Sequence, residues 1–152
     1  MKVAFYKSTR PGIAGIYNRL VRWWTRSPYS HAELIFSDGW AASSSFADGG
    51  VRFKRIDFDP AHWDFVEIDG NEAAPRQWFH AHDGDLYDLW GNVGFVVGPV
   101  PDDPDKRSCA ESIAAALGYA ESWRYSPAIL HSALSNLNHS AAFELLAIKG
   151  AA

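Results

Sequence analysis

The chain has 152 residues, 47% hydrophobic and 14% aromatic, which is ample apolar material for one domain around one core. A formal net charge of -4 argues against the basic footprint of a nucleic-acid binder, and the interspersed charges argue against a disordered chain. One cysteine excludes an intrachain disulfide, and no apolar run approaches the roughly 20 residues that a membrane span requires.

Val3 to Lys7 alternates and reads as a short strand. The start, Met1 to Tyr6, lacks the apolar stretch of a secretory signal. The expected compartment is therefore the cytoplasm, with release by a phage or export system left open. Ser8 to Gly12 is punctuation, and Pro11 is placed to open a helix. From Ile13 onward, Ile16, Leu20 and Trp23 recur at spacings of four and three, a helical stripe running to about Trp24. Ser27-Pro28 ends it. Arg10, Arg19, Arg22 and Arg26 gather here; a solvated helix face is favoured over contact with an anionic surface.

His31 to Phe36 and Trp40 to Phe46 flank Ser37-Asp38-Gly39, and Asp-Gly between two such runs signals a hairpin. A turn at Asp48-Gly49-Gly50 leads into Val51 to Ile56, which alternates apolar with basic as a half-exposed strand does. Trp63 to Ile68 alternates too, and Asp69-Gly70 closes it. Ala73 to Ala81 reads as a short helix, and Gly84 to Gly91 as a turn followed by helix. Gly94 to Val100 is apolar and glycine-rich without a clear state; Pro101 to Asp105 is a polar loop. Ser108 to Leu117 is a helix with Ile113 and Leu117 on one stripe and Gly118 as its stop. Pro127 to Leu137 is another helix, and Phe143 to Ile148 a closing strand. Residues 1–152 thus read as a single α+β domain, with a mostly antiparallel sheet in the middle and helices at both ends.

Cys109 stands in the first turn of its helix, with Ser108 as N-cap. There the helix dipole and unpaired N–H groups favour a thiolate, as do Lys106 and Arg107 just upstream. The same N–H groups suit an oxyanion. Position alone leaves this reading level with a small buried hydrophobe. His31, at the start of a strand, supplies the imidazole that a thiol nucleophile needs, although a lone strand-end histidine is most often ordinary surface.

Taken together, these segments resemble a known family. Tyr29-Ser30-His31-Ala32-Glu33-Leu34-Ile35-Phe36 resembles the histidine strand of the circularly permuted NlpC-like, papain-fold cysteine hydrolases. That group contains YiiX-like proteins and relatives of lecithin retinol acyltransferase. Gly84-Asp85-Leu86-Tyr87-Asp88 is similar to the family's Gly-x-x-Tyr-Asp stretch. Cys109-Ala110-Glu111 is similar to its Cys-Ser-Glu helix start, with alanine for serine. His31 precedes Cys109, the permuted order. The resemblance spans roughly Val3 to Leu117 and implies a papain-like fold, a Cys109 nucleophile and a His31 base.

The family's third catalytic position is a polar residue on the strand after the histidine; here that strand offers Ser43, Ser44 and Ser45. A two-residue turn at Asp38-Gly39 would set Glu33 opposite Ser44 and on the face of His31. Glu33 or Ser44 then orients the ring, or the site is a Cys–His dyad. Tyr6 and Tyr87 are candidate substrate-lining residues, although tyrosines at such places are more often packed core. The implied reaction is acyl transfer or hydrolysis through a thioester, on a peptide, isopeptide or lipid ester, with no cofactor.

Two other classes compete. His80 and His82, with Asp83 and Asp85, have the look of a metal site for a hydrolase, but alternate residues converge only from an extended segment and this stretch reads as helical. Seven tryptophans, among them Trp23, Trp24, Trp40 and Trp78, could instead line an apolar groove of a non-catalytic lipid- or peptide-binding module. Most are expected in the core.

Overall fold

The computed structural model describes residues 1–9, 11–88 and 106–137. Strand β1 (Lys2–Tyr6) leads to helix α1 (Ile13–Thr25), then to β2 (His31–Ile35) and β3 (Ala41–Ser45). Next come β4 (Gly50–Lys54), β5 (Trp63–Glu67) and helix α2 (Ala73–Ala81). Two short strands, β6 (Leu86–Tyr87) and β7 (Lys106–Arg107), precede α3 (Cys109–Ala116), and residues 127–137 form α4. The architecture is α+β around one seven-stranded sheet of order β5-β1-β2-β3-β4-β6-β7. All neighbours are antiparallel except β6 and β7.

Alternation on the strands sorts the core. Val3, Phe5, Leu34, Ala42, Val51 and Val66 pack with Ala110 and Ile113 of α3, Phe79 of α2 and Leu130 of α4. A second apolar cluster holds Ala4, Ile35, Ala41 and Trp63, joined by Ile56 and Phe58 from the segment after β4. Gly50 begins β4 because the Asp85 carbonyl of the β6 approach would stand 2.0 Å from any Cβ there.

Three expectations change. The β2–β3 connection is a three-residue loop, Ser37 to Gly39: Phe36 N donates to Trp40 O at 2.9 Å and Gly39 N to Phe36 O at 3.0 Å. Gly39 takes φ 82°, the left-handed step that such loops need. The register is therefore Leu34↔Ala42 and Ile35↔Ala41, which carries Ser43, not Ser44, to the level of Glu33. A one-residue slip also reverses faces, so Ser44 leaves the His31 side. After Gly84 the chain forms β6 rather than a helix, with residues 89–91 outside the described set. The β7 strand had no periodicity to reveal it, being two residues long.

Among the described residues, the tryptophans do not fill the core as expected. Trp63 is buried, whereas Trp23, Trp24, Trp40 and Trp123 are exposed. Trp40 sits by the β2–β3 loop and Trp78 stacks on His82, at 4.0 Å between ring centroids, so the named tryptophans are spread over separate elements. The segments 94–100, 101–105 and 143–148 lie outside the described residues.

Candidate active site

Pairing between β2 and β3 stops at Leu34↔Ala42, although the strands run on to His31 and Ser45. The start of α3 docks into this opening. Ser44 N donates to Ser112 Oγ at 3.3 Å, and Ser44 Oγ donates to the Arg107 carbonyl at 2.7 Å. Ser43 Oγ donates to the Ala32 carbonyl at 2.7 Å, replacing a ladder bond across the gap. Ser44 is thus a brace for the chain leading into α3, not a partner of the imidazole.

Helix α3 begins where the sequence places it because Ser108 and Glu111 cap it reciprocally. Glu111 N donates to Ser108 Oγ at 3.3 Å and Ser108 N to Glu111 Oε2 at 3.1 Å. Arg107 Nη1 donates to Glu111 Oε1 at 3.1 Å, which ties the box to β7. Cys109 is consequently held at the first position of the helix, buried, beside the amide end of the dipole.

His31 and Glu33, two residues apart on β2, share a face, and both are buried. The His31 Nε2 lies 2.8 Å from Glu33 Oε1. An ionised carboxylate only accepts, so Nε2 carries a proton and Nδ1 is the nitrogen left for the thiol. Cys109 lies close enough to this ring to influence its titration. Burial disfavours the imidazolium, but Cys109 and then Glu33 outweigh it and raise the His31 pKa to about 9.

Glu33 is 0% exposed, and burial alone would push its carboxyl up. Arg52, then His31, reverse this and hold it below the usual carboxylate range. Arg52 Nη1 donates to Glu33 Oε2 at 2.7 Å and Nη2 to Oε1 at 2.6 Å, a forked pair across the sheet. Arg52 Nε donates to Asp48 Oδ2 at 2.8 Å, and Lys54 Nζ to Asp48 Oδ1 at 2.9 Å. The chain His31–Glu33–Arg52–Asp48 therefore alternates in sign from β2 to the sheet surface.

Tyr6 pairs with His31 on one side and Trp63 on the other, and its ring packs 4.9 Å from Trp63. Trp63 in turn sets its edge toward the imidazole at 6.3 Å between centroids. Tyr87, half-buried, pairs with Arg107 and packs on Phe46, on β6 three strands away from the His31 strand. Arg52 and Trp63 were not among the sequence candidates. A glutamate inside the apolar run of β2 was the available signal, since a buried carboxylate requires a cation.

His80 lies in the last turn of α2 with its ring stacked on Phe53 at 4.4 Å. His82 caps that helix, and its Nδ1 is 2.8 Å from the Trp78 carbonyl. Both rings are engaged separately. Among the described residues no three His, Cys, Asp or Glu side chains are grouped to hold a metal ion. Among them, too, no helix is long and apolar enough to cross a membrane.

Comparison of the chain with family models, with curated proteins and with solved structures finds no match in any of the three. The resemblance drawn from the His31 strand and the Cys109 helix accordingly rests on those residues alone.

Proposed function

We propose that this chain is a cysteine-dependent hydrolase or acyltransferase on a permuted papain-like fold, using Cys109, His31 and Glu33. One observation carries the reading: the buried His31 imidazole is held by the Glu33 carboxylate at one nitrogen, and the nearby Cys109 raises its pKa. That is the arrangement of nucleophile, base and orienting group that thiol acyl transfer requires.

In the proposed cycle, His31 Nδ1 holds the proton of Cys109 while Glu33 fixes the ring through Nε2. The thiolate sulfur attacks the substrate carbonyl, and the developing oxyanion meets the amides of Cys109 and Ala110, which a helix start leaves without intrahelical acceptors. His31 returns the proton to the leaving alcohol or amine as the carbonyl bond to it breaks. Water, or an acceptor amine, then gives a proton to His31 and attacks the thioester, releasing product and regenerating the thiol.

The test combines labelling with trapping. Iodoacetamide should alkylate Cys109 near neutral pH, and His31→Ala should slow this by about tenfold or more. An activated ester such as p-nitrophenyl acetate should leave an acetyl adduct on Cys109 in intact-mass spectra, absent in Cys109→Ser. A folded wild-type protein that neither alkylates nor acylates would leave only a non-catalytic binding module on this fold. Loss of hydrolysis on chelation, with Cys109→Ser still active, would favour a metal hydrolase instead.

A further inference from the structure

Helix α1 is amphipathic with its stripes reversed. The side facing the protein carries Gly15, Asn18 and Arg22. Asn18, itself buried, donates from Nδ2 to Ser30 Oγ at 3.0 Å, and Arg22 Nη1 donates to the Lys7 carbonyl at 2.9 Å. Arg22 also bonds the Thr9 hydroxyl. The opposite side carries the apolar stripe, with Ile16 at 59%, Leu20 at 54% and Trp23 at 72% exposure, and Trp24 beside it. A helix anchored to its own protein by polar groups and displaying a tryptophan and two aliphatics to the outside is built to be covered.

Charge says by what. Between Lys7 and Arg26 the sequence holds five Lys and Arg and no Asp or Glu, in a chain whose net charge is -4. Arg19 and Arg26 are exposed and form no ion pair with any described residue. A symmetric second copy would bring together two such segments, both cationic and without a carboxylate. A surface with anionic headgroups over an acyl interior satisfies both the cations and the apolar stripe. Tryptophan at the border of such a stripe suits the headgroup level, where its ring is apolar and its N–H polar.

We propose that α1 is a peripheral docking helix for an anionic lipid bilayer, lying in the interface with Ile16, Leu20 and Trp23 inserted and Arg19 and Arg26 on the phosphates. Since Ser27 and Pro28 lead straight from α1 to Ser30 and His31, docking would hold the β2 end of the sheet close to the membrane plane. The proposal stands on α1 alone and does not depend on catalysis.

The test is flotation of the full chain with vesicles of phosphatidylcholine alone and of phosphatidylcholine mixed with phosphatidylglycerol. Binding is expected to the mixed vesicles and to weaken as salt rises. Leu20→Ser with Trp23→Ser should reduce partitioning about tenfold or more, and Arg19→Gln or Arg26→Gln about fivefold each. These positions are exposed, so circular-dichroism melts of the variants should match wild type, which separates lost docking from lost folding. Quenching of tryptophan emission by brominated lipid should fall in Trp23→Ser. Absence of vesicle binding by the wild-type chain would overturn the proposal, and so would binding equal in all variants. A dimer in light scattering that the Leu20→Ser and Trp23→Ser changes convert to monomer, without vesicle binding, would assign the stripe to a second copy.

Discussion

Glu33 and Arg52 face one another across the sheet through two hydrogen bonds, 2.6 and 2.7 Å, with the carboxylate wholly removed from solvent. This forked pair explains how a charge can stand in the middle of an otherwise apolar strand. It also explains how His31 keeps a charged partner at Nε2 in a buried place. Arg52 is a positioning residue: it touches Glu33, and through Glu33 it sets the ring.

Breaking the pair from the arginine side leaves a buried carboxylate with His31 as its only cationic partner. Arg52→Ala should destabilise the fold by about 3–5 kcal/mol, measured as a lowered urea midpoint, because an uncompensated interior charge is costly. Arg52→Lys keeps the charge and loses the fork, so its loss should be smaller. Equal stability of Arg52→Ala and wild type would show that Glu33 is not ionised inside the protein.

The pH dependence of stability has two edges. His31, raised to about 9 from 6.5, contributes fully below 6.5, and that contribution disappears as pH climbs through about 9. Glu33, lowered from 4.5, contributes above that value and loses it as pH falls through its depressed pKa. Urea midpoints should accordingly be flat between about pH 4.5 and 6.5 and fall on both sides. In Glu33→Gln the alkaline edge should move to lower pH, because one of the groups raising His31 is gone. An alkaline edge unmoved in that variant would contradict the Glu33 contact.

Much of this was legible before the structure. Helix α3 carries its own start signal in Ser108 and Glu111, and α2 and α4 stand where the sequence reading put helices. The hairpin was legible but not its register. Asp38-Gly39 fits a two-residue turn as well as the last positions of a three-residue loop, and only the loop's hydrogen bonds separate them. That single residue moved Ser44 to the other face and brought Ser43 level with Glu33. Arg52 was hidden because alternation in Val51-Arg52-Phe53-Lys54 looks the same whether an arginine points to water or to a buried acid. The stripe of α1 was visible, but hydropathy cannot say which side of a helix meets the protein. Asn18 and Arg22 decide that through long-range bonds.

The cap of α3 can be weighed separately from the chemistry. Ser108→Ala removes the acceptor for Glu111 N and should cost about 1 kcal/mol, seen as a melting temperature lower by several degrees. Ser108→Gly should cost less than the alanine change, as caps do. An unaffected melting temperature in Ser108→Ala would mean the helix start is held by other contacts.

At the junction of β4 and β6, Gly50→Ala should destabilise by about 1–3 kcal/mol, since its Cβ would collide with the Asp85 carbonyl and the backbone must shift. Thermal melting checks this. A neutral Gly50→Ala would show that β6 does not approach β4 so closely.

The coupling of one thiol to one imidazole can be read directly. Nitrogen-15 NMR of the histidine rings, with His31 assigned through His31→Gln, should show it titrating near pH 9 in wild type. In Cys109→Ser, the same ring should titrate at distinctly lower pH, because the sulfur's charge and hydrogen bond are gone. A His31 ring that titrates at the same pH in both proteins would contradict the account.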